Sequence, residues 1–398
     1  MKKNTIALEI SHRYIKVAFG YVQNDQVYVN YVKKVPINHF LENGAIKEKN
    51  LLIKELGRIN PIVDQEYQIN ELINNVTFVL PPYGLEVYET KQISWVVSQE
   101  KVIAEFDIKN IYSIIRNKKL PVDNELIDIV PEAFAVDNGN MYAQAPIGKV
   151  SSAITAYTKV HTVPKRINQE YCDILRNSNI QINRKVVSSF AAVELLSTYS
   201  DTPNNYFLVD IGGCSTSVSL VGKKQLFATR SFSWGGDNIT DRLVSKFNIS
   251  EIEAEKIKIL YGLDKRQIRF DYSVVKADLE NGIENHYVNE LNELIESELE
   301  EFYKMLTVAI EQLAQQYNVV DYQSMPIILI GGGSKLKGIV PFITSKGTYS
   351  NIRTEVPKSL GARDPSLFAL LGAIYVDNKY PNTSSEAKKA NVNVAREE

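Results

Sequence analysis

This sequence is poor in cysteine, histidine and long apolar runs, and each shortage closes a class of function. The two cysteines, Cys172 and Cys214, lie far apart with no Cys-x-x-Cys spacing. That excludes a disulfide framework or a thiolate zinc site and fits a reducing compartment. Four histidines without a His-Glu-x-x-His pattern leave no metal-ligand cluster in view. A net charge of −2 offers nucleic acid no basic excess. No apolar run reaches the ~20 residues of a membrane helix. Glu9 cuts the first apolar run too early for a signal peptide.

What is present centres on the stretch from Tyr206 to Val221. Tyr206 to Val209 is apolar throughout, as in a strand buried on both faces. Asp210 ends the run. Gly212 and Gly213 predict a turn whose backbone N–H groups approach a ligand. Ser215, Thr216 and Ser217 add hydroxyls. Val218 and Leu220 then alternate with serines as a second strand, and Gln225 to Phe232 makes a third. The glycines therefore join two strands rather than opening a helix, unlike a Walker or Rossmann loop. N–H groups around phosphate, beside a carboxylate for hydrated Mg²⁺, are another solution to the same chemistry. On this stretch alone, an ordinary glycine hairpin reads equally well. The N-terminus repeats the shape: Thr5 to Ile10 carries Glu9 near its end, Ser11-His12-Arg13 turns, and Tyr14 to Tyr21 returns. Such a duplication implies two related halves facing each other, although the first turn has no glycine.

Elsewhere, residues 47–59 predict a helix, 76–80 a buried strand, and Pro81-Pro82-Tyr83-Gly84 a break. From Leu85 to about His161 the chain reads as a small inserted α+β unit. Its strands are short (86–88, 127–130, 134–136), with a helix near 108–116 and an exit strand at 152–160. Helices follow at 165–176, 189–199, about 239–247 and 251–261. Ser250 caps the last of these, which carries Glu255 and Lys258 one turn apart. Residues 288–317 form a long amphipathic helix, read as a packed domain helix in preference to a coiled coil. Residues 326–338 give a buried strand, a triple-glycine turn and a helix start, and 366–376 a last apolar helix. The polar stretch 380–398 is expected to be disordered.

Four stretches now stand in order: Leu80-Pro-Pro-Tyr-Gly-Leu-Glu-Val-Tyr88; Val209-Asp-Ile-Gly-Gly213; Gly235-Gly-Asp-Asn-Ile-Thr240 with Ala254-Glu-Lys-Ile-Lys258; and Ile330-Gly-Gly-Gly-Ser-Lys-Leu-Lys-Gly338. With Arg363-Asp-Pro-Ser366, this order resembles the actin/Hsp70 ATPase superfamily and, within it, the bacterial cell-division family FtsA. The resemblance implies an α/β, actin-like ATPase fold: two duplicated lobes around a nucleotide cleft, with an inserted α+β subdomain of the FtsA 1C type in the first lobe. It divides the chain into subdomain 1A (1–82 and 163–200), 1C (83–162), 2A (201–233 and 301–364) and 2B (234–300). A C-terminal helix (365–380) returns to 1A before a disordered tail (381–398). It also implies an ATP-binding, self-associating cytoplasmic protein that links FtsZ filaments to the division machinery or membrane. Asp210, with Glu9, would hold Mg²⁺ through water. Gly212, Gly213, Ser215 and Thr216 would wrap the phosphates, and Glu255 and Lys258 would meet ribose and adenine. Gly332, Gly333 and Lys335 would pack on the nucleoside. Lys16 lies where actin-like and PilM-like relatives often place a phosphate lysine. The FtsZ C-terminal tail would dock at about 234–300, beside Lys256, Lys258, Lys265, Arg266 and Arg269.

The departures are specific. The family's first loop is D-I-G-[ST]-[ST]; here it is Glu9-Ile10-Ser11-His12-Arg13, with Arg13 offering a charge-assisted contact in place of N–H donors. The water-positioning acid or amide of chaperone and actin relatives falls near Ser188, which implies slow or absent hydrolysis. The amphipathic helix by which FtsA lies on a membrane is not visible in Ser384 to Glu398. A PilM-like assembly platform, or a fold relative that has lost nucleotide binding, stand as alternatives. A sugar kinase lacks a motif for its catalytic carboxylate.

Overall fold

Two five-stranded sheets with the same internal order build the protein. The structure, a computed structural model, describes residues 4–37, 41–42, 44–264, 271–279, 282–380 and 382. In the first sheet the spatial order is Gln26–Pro36, Tyr14–Gln23, Thr5–Ile10, Val76–Leu80, Ile182–Val187. In the second it is Gln225–Phe232, Thr216–Gly222, Tyr206–Ile211, Ile327–Ile330, Ile352–Thr354. In both, the first three strands pair antiparallel and the rest parallel. The likeness extends to the outer turns, Asn24-Asp25 and Lys223-Lys224, which all have positive φ. That is the pattern of a two-residue turn matched to strand twist. The duplication expected from the two acid-ended hairpins is thus present throughout both sheets.

A helix pair, Ser188–Ser197 and Phe368–Lys379, lies between the sheets. Both helices are apolar nearly all round, and nearly every residue is buried, as befits helices covered on all sides. They approach closely at Gly372, where a Cβ would stand 1.9 Å from the Ala191 carbonyl oxygen. One continuous core runs from Leu8, Val17 and Phe78 through this pair to Tyr206, Leu208 and Val221 of the second sheet. The second sheet's other face is covered by Val288–Gln316, whose stripe of Leu291, Ile295, Leu299, Phe302, Leu306 and Ile310 is buried there. That stripe is spent inside the lobe, so this is a domain helix and not a coiled coil.

Residues 86–164 form their own four-stranded antiparallel sheet and core, with the helix Glu105–Arg116 packed on it. Two strands are longer than their sequence suggests. Glu86–Trp95 is an edge strand with mostly solvent-facing side chains, so no apolar run marks it. Asn124–Val136 is one strand, not two, because Pro131 is absorbed at a register shift. The hairpin Ser273–Leu279 and Gly282–Tyr287 has no forerunner in the sequence reading. The inserted sheet is tied to both lobes. Buried Asp128 meets buried Arg184 at 2.5 Å, and Arg184 also donates to the Val376 and Tyr380 carbonyls. Lys159 donates to Gln225 Oε1 and the Leu226 carbonyl of the second lobe.

Candidate functional site

The turns of the two leading hairpins face each other across a cleft of about 390 Å³ between the lobes, the size of a small-molecule site. Of the residues singled out in the sequence as nucleotide or metal ligands, all but Thr216 line it. Glu9 and Asp210 hold the same penultimate place in equivalent strands. Burial pushes the Asp210 carboxyl up to about 6; Lys16 opposes that shift and Glu9 adds to it. Lys16 sits opposite Glu9 in register and donates to Glu9 Oε1 and the Ser366 carbonyl, both at 2.7 Å. The other Glu9 oxygen is buried and without a hydrogen bond among the described residues. The described residues hold no group of three or more potential metal donors. Two carboxylates, one with an unsatisfied buried oxygen, could hold a hydrated Mg²⁺.

The second loop is stitched to the helix Gly236–Phe247. The Gly236 and Asp237 amides donate to the Gly212 and Gly213 carbonyls at 3.0 and 2.8 Å. A Cβ on Gly235 would stand 2.2 Å from the Gly213 oxygen, which explains the first of the two glycines before Asp237. Within the loop, the Gly212 amide donates to the Ser215 carbonyl at 2.8 Å. The Thr216 hydroxyl donates to the Trp234 carbonyl at 2.7 Å, so it serves the lobe's interior. In the triple glycine, a Cβ at Gly331 would stand 2.3 Å from Asp210 Oδ1, and one at Gly333 2.3 Å from Ile211 Cγ2. A Cβ at Gly332 would meet nothing. Two of these glycines therefore serve the approach to the Asp210 strand, and Gly332 alone shows a bare face.

The first turn closes without glycine because Ser11 does the work with its side chain. Its amide and its Oγ both donate to the Tyr14 carbonyl, at 2.8 and 2.9 Å. His12 and Arg13 then cross to the second lobe. His12 Nε2 lies 3.1 Å from Asp237 Oδ2, and Arg13 Nε 2.5 Å from Asp237 Oδ1. Burial opposes a charge on His12, but hydrogen bonds to Asp237 and the Cys214 thiol raise its pKa to about 9. Burial likewise pushes the Asp237 carboxyl up, yet His12 and Arg13 outweigh it and hold it below the ordinary range.

On the far side, Lys258 Nζ donates to Glu255 at 2.6 Å, Thr240 Oγ1 at 2.8 Å and the Gly236 carbonyl at 2.9 Å. Lys258 is buried in the cleft wall and so does not join the exposed Lys256 on a basic surface. Lys265, Arg266 and Arg269 lie outside the described residues, as do residues 381 and 383–398 of the tail. Lys34 and Lys335 reach Asp364 from opposite lobes at 3.0 and 3.4 Å. Sequence reasoning passed over Lys34 and Asp237. Lys34 has no motif around it, and Asp237 was visible in its Gly-Gly-Asp-Asn setting without a role.

Two sheets of one topology, a cleft between them, and acid-ended hairpins pointing into it define an actin-like fold. Solved structures with this fold include a PilM–PilN type IV pilus biogenesis complex (TM-score 0.62, 18% identity, 95% of this chain and 99% of that one). Another is MreB 5 of Spiroplasma citri bound to AMPPNP (TM-score 0.53, 12% identity, 99% of each chain). Within that class the chain is similar in sequence to FtsA. The profile of the family described as cell division protein FtsA matches residues 207–372. The FtsA of Enterococcus faecalis (strain ATCC 700802 / V583) is 25% identical over 366 residues, spanning 88% of this chain and 80% of that protein. The FtsA of Bacillus subtilis (strain 168) is 22% identical over 377 residues, spanning 93% and 82%. No helix among the described residues is long and apolar enough to cross a membrane.

Proposed function

We propose that this chain is an actin-like cell-division protein that binds Mg·ATP between its lobes, self-associates, and links FtsZ filaments to the division machinery. The convergence of Glu9, Asp210 and both hairpin turns on one cleft carries this reading. Asp210 and Glu9 would hold hydrated Mg²⁺, which neutralises the triphosphate. Lys16, Gly213 and Ser215 would face the phosphates, and Glu255, Lys258, Gly332 and Lys335 the nucleoside. Thr216 supports the loop from behind. Ser188 lines the cleft where relatives carry a water-positioning group, and a serine is a poor base; hydrolysis is slow or absent on this reading. Residues 83–162 correspond to the 1C subdomain and 234–300 to 2B, where the FtsZ tail docks. The fold likeness to a PilM–PilN complex favours, as the second reading, an assembly platform at the same sites.

Calorimetric titration of Mg·ATP into the wild type and Asp210→Ala tests the site. Binding to the wild type and none to the variant is expected; equal binding by both overturns the metal assignment. A labelled FtsZ C-terminal peptide forms the second arm. Failure to bind, with Mg·ATP binding intact, would shift the reading to the assembly platform.

A further inference from the structure

We propose that His12 and Arg13 form an ionic latch that occupies the phosphate side of the cleft and must let go for nucleotide to bind. The proposal rests on the nucleotide reading of the site. Arg13 leaves the first lobe and meets three carboxylates of the second: Asp237 at 2.5 Å, Glu251 at 3.0 Å and Glu255 at 3.9 Å. His12 takes the other Asp237 oxygen at 3.1 Å, so two cations grip one carboxylate whose side chain is 8% exposed. This knot lies directly on the second loop. A Cβ on Gly213 would stand 3.0 Å from Asp237 Oδ2 and 3.3 Å from the His12 ring. The bare face of Gly213, where backbone can approach a phosphate, is therefore turned to the latch.

A triphosphate arriving there meets Asp237 and Glu251, both of which repel it. That repulsion turns to attraction at this end of the cleft when the two cations turn from carboxylate to phosphate. Guanidinium suits both anions, since each offers it paired oxygens. The carboxylates are thus competitors of the nucleotide, and the cations are its partners. Removing one kind should act with the opposite sign to removing the other, which a purely structural ion pair does not do.

The test is calorimetric titration of Mg·ATP into the full chain as wild type, Asp237→Asn, Glu251→Gln and Arg13→Gln. Asp237→Asn should tighten binding about tenfold, the worth of one charge-assisted hydrogen bond. Glu251→Gln should tighten it less, and Arg13→Gln should weaken it. The Glu251 side chain is 45% exposed, so that variant carries the test if Asp237→Asn does not fold. Unchanged or weaker binding in both carboxylate variants, at unchanged melting temperature, overturns the latch. If Mg·ATP binds none of the four proteins, the nucleotide reading falls. The latch is then judged by hydrogen exchange in protein without nucleotide. Loss of protection at residues 11–14 and 235–240 in Arg13→Gln supports it, and unchanged protection overturns it.

Discussion

Asp210 shows how the burial of a single carboxyl costs the fold stability. Its carboxyl sits near 6 instead of 3.8 because it is buried. A raised acid favours the native state only while protonated, so its cost is nil below about pH 4, grows between 4 and 6, and is complete above 6. In protein without nucleotide, Asp210→Asn should therefore add on the order of 2 kcal/mol of stability at pH 7. The gain should vanish at pH 4, as urea melts at the two pH values will report, and Mg·ATP binding should be lost. Asp128 predicts the reverse sign. Asp128→Ala would strand the buried guanidinium of Arg184 and should cost about 3–5 kcal/mol by the same melts. At this scale the sequence disclosed the residues with motifs around them, such as Asp210, Gly213 and Lys258. It did not disclose Asp237 or Lys34, whose meaning comes from partners far away in the chain: Arg13 lies 224 residues from Asp237, and Asp364 lies 330 from Lys34. Nor did it show that the Thr216 hydroxyl would be spent on Trp234.

The elements were most legible where burial is two-sided. Val76–Leu80 and Tyr206–Ile211 announce themselves as apolar runs because helices or sheet cover both faces. The edge strand Glu86–Trp95 was legible only over 86–88, because most of its side chains face water and leave no run to read. The helix pair between the sheets was visible as two helices, but not as a pair. Only the contact at Gly372 explains why one position in Phe368–Lys379 lacks a side chain. Gly372→Ala should push the pair apart and cost at least about 2 kcal/mol in urea denaturation. A neutral result would mean that the two helices can slide past one another without loss.

At the scale of the whole molecule, the proposed partner surface can be separated from the cleft. Lys265→Glu with Arg266→Glu lies apart in sequence from Glu255 and Lys258, so Mg·ATP affinity should hold while affinity for an FtsZ tail peptide falls at least about tenfold, by fluorescence anisotropy at moderate salt. Unchanged tail affinity would remove that surface. A different consequence follows from how the first lobe is closed. Thr5 donates to Asp377 across 372 residues, and the sheet that begins at Thr5 is covered by the helix Phe368–Lys379. On the ribosome, the roughly 330 residues between the first hairpin and that helix take about 20–70 s to make. All that time the hairpin's apolar face is without its cover. Brief proteolysis of nascent chains stalled before Phe368 should cut within residues 4–80, and chains released after Lys379 should resist. Shortening the chain at its end would therefore unravel its beginning.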